Sequence, residues 1–119
     1  MKYNELSKIF INEFPKFSVN LIEHEVFYEE VLNHVFFGEL NDYLIELLRK
    51  DIEDELLIRL FEFYERMELK GDTLVKEVLS CTILERLGDE KEILEIAYRY
   101  MGKETRKASD HIEKAWGRL

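Results

Sequence analysis

The sequence predicts an all-α fold of six to seven helices in antiparallel hairpins, on three observations. Apolar residues recur at three- and four-residue spacing over most of the chain, the signature of helices with one buried face. No stretch alternates with period two for long enough to build a sheet. One Pro and five Gly are too few for a turn-rich β fold. Connections such as Gly71-Asp72 and Gly88-Asp89 are short, so sequential helices are expected to pack as hairpins. Either a HEAT-like or armadillo-like stack or an orthogonal bundle satisfies this, and no sequence repeat selects the stack.

The first helix is predicted from Tyr3 to Phe14, with Leu6, Ile9, Phe10 and Phe14 on one face. Pro15 stops it, because the residue before a proline is pushed out of the α region. Phe17 to Val31 reads as an irregular second helix: Val19, Leu21, Ile22, Val26 and Phe27 are apolar, but acids interrupt them. Val31, Leu32, Val35, Phe36 and Phe37 form an apolar cluster ending at Gly38, read as a break or a close-packing point. From Glu39 a clear stripe begins, Leu40, Tyr43, Leu44, Leu47 and Leu48, with Asp42, Glu46 and Arg49 outside it. Asp51 is expected to cap the next helix, in which Leu56, Leu57, Leu60, Phe61, Tyr64 and Met67 repeat the spacing up to Gly71. Asp72 caps another, carrying Leu74, Val75, Val78, Leu79, Ile83, Leu84 and Leu87 to Gly88, read as a C′ glycine. Asp89 and Glu92 are read as a capping box for a short helix of Ile93, Leu94, Ala97, Tyr100 and Met101, ending at Gly102. The last helix, from about Glu104, presents Ala108, Ile112, Ala115 and Trp116.

A chain of 119 residues is expected to form one domain, residues 1–119, with a core large enough to need no staples. The single cysteine, Cys81, permits no intramolecular disulfide and fits a reducing compartment. Met1 to Phe10 lacks the apolar run of a signal peptide, and no segment is apolar enough to span a membrane, so a cytoplasmic location is expected.

The net charge of −9 is gathered in one third of the chain. Between Glu23 and Glu55 stand eleven acids, opposed by Arg49 and Lys50 alone. Such a segment repels nucleic acid and anionic membrane and attracts basic surfaces, hastening encounter with them. The C-terminal part leans the other way, with Arg99, Lys103, Arg106, Lys107, Lys114 and Arg118. These are expected to complement helix C-termini and the acidic segment.

Reactive chemistry is hard to assemble from this sequence. Glu30 and His34, at i and i+4, would share a helical face, but no matching pair supplies the rest of a metal site. Cys81, between Leu79 and Ile83, reads as a buried small hydrophobe. There is no phosphate loop, dinucleotide fingerprint, nucleophile elbow or metal-binding cysteine pair. The expectation is a binding protein, not an enzyme, with no cofactor and no metal.

Phe14-Pro15, His34-Val35-Phe36-Phe37-Gly38-Glu39-Leu40, Glu77-Val78-Leu79 through Leu84-Glu85-Arg86-Leu87-Gly88-Asp89, and Tyr100-Met101-Gly102-Lys103-Glu104-Thr105 together resemble a family of small bacterial helical domains of uncharacterised function. Such domains resemble immunity proteins, the inhibitors encoded beside contact-delivered or secreted bacterial toxins. The resemblance implies neutralisation by binding, as a monomer or weak dimer. A basic nuclease toxin would suit the charge, since its substrate is a polyanion. Glu25, Glu29, Glu30, Glu39, Asp42 and Glu46 are the candidate acids for that contact, and Tyr28 and Tyr43 the candidate aromatic anchors. A helical adaptor that binds a peptide or protein partner in an apolar groove is the alternative.

Overall fold

The computed structural model describes residues 1–118 and contains, among them, seven helices and no strand. A 3₁₀ turn, Tyr3–Glu5, leads into α1, Leu6–Glu13. Pro15 ends that helix and starts a second 3₁₀ turn, Pro15–Phe17, which feeds α2, Ser18–Tyr28. Helix α3 is Asn33–Arg49 and α4 is Glu55–Lys70. Helix α5 is a composite rod: an α segment Thr73–Glu77, a π-wound segment Val78–Leu84 and a last α turn Glu85–Leu87. Helices α6, Lys91–Tyr98, and α7, Lys103–Ala115, complete the chain.

Of the two arrangements left open by the sequence, the molecule adopts the bundle. Helix α5 is its strut, packing most heavily on α3 and also on α4 and α7, while α7 lies along α4. Helix α3 meets its chain neighbour α4 less extensively than it meets α5. The α3–α5 contact follows from small and polar side chains. Helix α3 continues through Gly38 without a break, and a Cβ there would lie 3.7 Å from the Thr82 methyl, ordinary van der Waals contact. Buried Asn41 donates to the Ile83 carbonyl at 3.4 Å, and His34 Nδ1 lies 2.6 Å from Thr82 Oγ1. A π segment disturbs the regular i to i−4 ladder, so a side-chain donor at one of its carbonyls meets a real need.

The predicted stripes fill the core, with instructive exceptions. Tyr43 is 43% exposed and Leu74 50% exposed, so each sits at a rim. Cys81 is exposed, not buried. Two residues advance a helix by about 200°, so a position between Leu79 and Ile83 in sequence falls on the opposite face. Helix α7 inverts expectation most: its buried residues are Thr105, Ser109 and Glu113, and Trp116 is 59% exposed.

Two caps also differ. Asp54, not Asp51, caps α4, accepting from the Leu56 N–H at 2.7 Å. Asp51 instead adopts a left-handed backbone, φ 48°, and its carboxylate is bound by Arg99. Asp89 caps nothing, because its carboxylate is engaged by Arg118 at 3.1 Å, and α6 begins after Glu90. Asp72 caps as expected, accepting from the Val75 N–H at 2.9 Å. Gly88 has φ −74°, so no left-handed turn demands it. Close approach does: a Cβ there would lie 2.1 Å from Glu113 Oε2, whose buried carboxylate is held by Arg118 at 2.7 Å.

The start of α7 has no cap from its own residues and borrows one from α4. The Glu65 carboxylate accepts from the N–H groups of Glu104, 3.0 Å, and Thr105, 2.8 Å, and from the Thr105 hydroxyl, 2.8 Å. Gly102 leaves room for it, since a Cβ there would come within 2.5 Å of Glu65. Burial pushes the Glu65 carboxyl up, but these three bonds outweigh it and hold it below the usual carboxylate range. A carboxyl depressed in the folded state stabilises fully above its unfolded pKa, about 4.3, and loses that contribution as pH falls through the folded value. Glu65→Gln should therefore cost about 1–2 kcal/mol at pH 7 by urea denaturation, and the gap from the parent should close below about pH 4. A gap that persists unchanged into acid would mean that charge on Glu65 is not what holds α7.

Candidate functional site

Helix α2 is the anomaly of the molecule. It has eleven residues, and only His24 among them is buried. Val19 and Ile22 are 60% exposed and Val26 is 75% exposed. At i, i+3 and i+7 they make one stripe, and it points away from the protein. Phe27, 78% exposed, stands on the adjacent face, beyond Glu23. A contiguous apolar ridge on the outside of a folded domain is the kind of surface that a partner covers.

Two fastenings fix the ridge in place. Ahead of it, Phe17 is buried and stacks its edge on Tyr43 with ring centroids 5.8 Å apart. Within it, the buried His24 ring accepts the Leu32 N–H at Nε2, 3.0 Å, and packs on Tyr28 and Phe36. That bond places the proton of the neutral ring on Nδ1. Nδ1 has no hydrogen-bond partner, and the nearest carboxylate, Glu39, lies 3.8 Å away.

Seven of the eleven acids divide into two groups; of the rest, Asp54 caps α4, and Glu39, Glu53 and Glu55 pair with no lysine or arginine among the described residues. Glu23, Glu25, Glu29 and Glu30 are exposed on α2 or the turn after it, and none forms an ion pair among the described residues. Along α2, Glu23 and Glu25 flank the apolar stripe on either side. The other group is answered internally: Asp42 by Arg86, Glu46 by Arg49 at 3.4 Å, and Asp51 by Arg99. Among the described residues, Arg99 is the one C-terminal cation paired with the acidic segment, while Arg106 and Arg118 pair with Asp110, Glu113 and Asp89.

Three clefts sort the predicted residues. Tyr28 and Glu39 share one of about 310 Å³ with Asn20, Glu23, His24 and Phe27. Glu39 and Tyr43 line the next, about 260 Å³, with Phe17 and Lys16. Asp42 and Glu46 lie apart, in a third with Arg49, Arg86 and Glu90. Glu25, Glu29 and Glu30 line none of these. Sequence reasoning missed Val19, Ile22, Val26 and Phe27. The signal was present, since a helical period through buried Phe17 and His24 puts Val19, Ile22 and Val26 on the far side.

The remaining candidate chemistry does not assemble here. Glu30 lies in the turn between α2 and α3 and His34 in the first turn of α3, so the two share no helical face. The Cys81 thiol is raised by partial desolvation and by Glu85 and Glu77, the reverse of what a nucleophile needs. A cleft of about 550 Å³ lies between α4, α5 and α7, with Glu68, Lys76, Lys107 and His111 on its walls. Desolvation raises the Glu68 carboxyl, but Lys107 there is paired with Glu104 at 3.4 Å.

Helix α2 ends through Glu29 in a left-handed conformation, φ 63°, which strains any side chain. Glu29→Gly should raise stability by about 0.5–1 kcal/mol, read as a higher melting temperature, whereas Glu29→Gln should leave it unchanged. Equal effects of the two would assign the gain to charge, not to backbone.

Residues 7–117 match the family model described as Domain of unknown function (DUF7674). No curated protein and no solved structure matches the chain. By the extent of that match, the chain belongs to the DUF7674 family.

Proposed function

We propose that this chain is an immunity-type binding protein, a single cytoplasmic domain that docks onto a basic toxin and blocks it. The observation that carries this reading is the outward apolar stripe of α2, flanked by carboxylates that have no partner within the described chain. Apolar anchors supply affinity once water is expelled, and the unpaired acids steer a cationic partner into place. The same acids keep two copies of α2 apart, so the protein works as a monomer. A nuclease toxin suits this face, because a surface evolved to hold phosphates is itself basic.

The geometry shifts weight among the candidate acids. Glu25, Glu29 and Glu30, joined by Glu23, carry the field toward the partner, with Glu39 behind them, whereas Asp42 is met by Arg86 and Glu46 shares Arg49 with Glu90. The adaptor reading gains less support. The exposed apolar area is a ridge along one helix, and the clefts beside it mix aromatic rings and Leu40 with Lys16, Asn20, Glu23, His24 and Glu39, unlike a continuous apolar groove built to hold a peptide.

Expression of the adjacent reading frame should be toxic alone and harmless together with this chain, and the two products should co-purify. A neighbour that is harmless on its own would end the immunity reading. With the pair in hand, Glu25→Lys, Glu29→Lys and Glu30→Lys combined should slow association at low salt about tenfold or more and flatten its salt dependence. Asp42→Asn should change the rate less than about twofold, because Arg86 already cancels that charge. An on-rate untouched by the triple reversal would remove α2 from the interface.

A further inference from the structure

We infer that the cleft between α2 and α3 is a receptor for one arginine side chain presented by the partner. The cleft, about 310 Å³, is lined by Asn20, Glu23, His24, Phe27, Tyr28 and Glu39. The Phe27 and Tyr28 rings meet edge to face with centroids 4.8 Å apart, so two aromatic rings of different orientation border one space. Glu23 and Glu39 add two carboxylates, and among the described residues no lysine or arginine lines the walls. Aromatic faces and carboxylates around one space suit a guanidinium, which stacks by cation–π attraction and accepts bidentate pairing.

The adjoining cleft shows the same chemistry with its cation supplied from within. Its walls again include Asn20, Glu39 and an aromatic pair, Phe17 and Tyr43. There the Lys16 ammonium lies 5.5 Å from the centre of the Phe17 ring and 5.6 Å from that of Tyr43. The Phe27 cleft repeats the pattern without an internal cation. A second, independent sign of an absent ligand is His24. Its side chain is fully buried, lines this cleft and keeps an Nδ1–H donor with no acceptor. A peptide carbonyl beside the captured arginine would meet that donor, so the cleft fits an arginine within a polypeptide better than a free cation.

This inference rests on the docking reading for its biological partner, but its chemistry is testable without one. The isolated protein is titrated with Nα-acetyl-arginine-N-methylamide while the ring signals of Phe27, Tyr28 and His24 are followed by NMR. The citrulline analogue serves as the neutral isostere. The expected result is a saturable shift at all three rings with the arginine compound and roughly fivefold or weaker binding of the citrulline one. Phe27→Ala and Glu39→Gln should each weaken arginine binding at least roughly threefold, and both side chains are exposed enough for the fold to survive. Equal binding of the two compounds, unchanged binding in Phe27→Ala, or no saturable shift at tens of millimolar would each overturn the assignment. Those failures would leave the slower association of the charge-reversed variants intact. Loss of that slowing with arginine capture retained would instead overturn the docking reading alone.

Discussion

The fold turns on Phe10. Its ring lies within 4.7 to 6.2 Å, centre to centre, of Phe14, Phe17, Phe36, Phe37 and Phe63. Through that one side chain α1, the Pro15–Phe17 turn, α3 and α4 share a core. Edge-to-face geometry dominates, as the ring quadrupole favours. The electrostatics outside the cluster reinforce it. Arg66 forks onto the Glu13 carboxylate while lying over Phe63, and Arg59 covers Phe14 and donates to the Glu13 carbonyl at 2.6 Å. Because Phe17 belongs to this cluster, the chain enters α2 from a fixed point. The far end of α2 is fixed by the His24–Leu32 bond. A helix pinned near both ends needs no buried apolar stripe to stay in place, and this one leaves its stripe in water.

Charge and burial are therefore divided along the chain. Where the acidic segment enters α3 and the turn after it, arginines from α3, α5 and the end of α6 meet Glu46, Asp42 and Asp51, and the negative field of those three is opposed within the molecule. Along α2, Glu23 and Glu25 pair with no cation among the described residues, and their field is left outward. Net charge alone does not distinguish these two cases. Pairing does, and pairing is set by how α5 and α6 pack against α3.

Much of the bundle was legible in the sequence because helical period and burial agree through α3, α4 and α5. Leu44, Leu48, Leu57, Phe61, Met67, Leu79 and Ile83 all lie where the stripes put them, each at most 1% exposed. The reading failed where other forces decide. Helix α7 buries Thr105 and Glu113 because each meets a polar partner: Glu65 binds Thr105, and Arg118 binds Glu113. A hydrophobicity pattern carries no record of such partners. Asp51 and Asp89 were mistaken for caps because Arg99 and Arg118, 48 and 29 residues away, claim their carboxylates. For the candidate site, the acids were legible as composition and Tyr28 and Tyr43 as aromatics. Their division into paired and unpaired groups required the third dimension.

The irregular pattern of Phe17 to Val31 then acquires a physical explanation. A helix that only had to fold would show one apolar face and one polar face. This one carries two faces: a narrow inner one, Leu21 and buried His24 following buried Phe17, and an outer apolar one, Val19, Ile22 and Val26, with carboxylates on the flanks between them. Superposed, the two faces erase the single period that sequence reading seeks. Exposed valine and isoleucine add nothing to helix propensity and are not needed to hold the bundle. An apolar surface at such positions, beside acids without internal ion pairs among the described residues, is the feature that the docking proposal accounts for and folding alone does not.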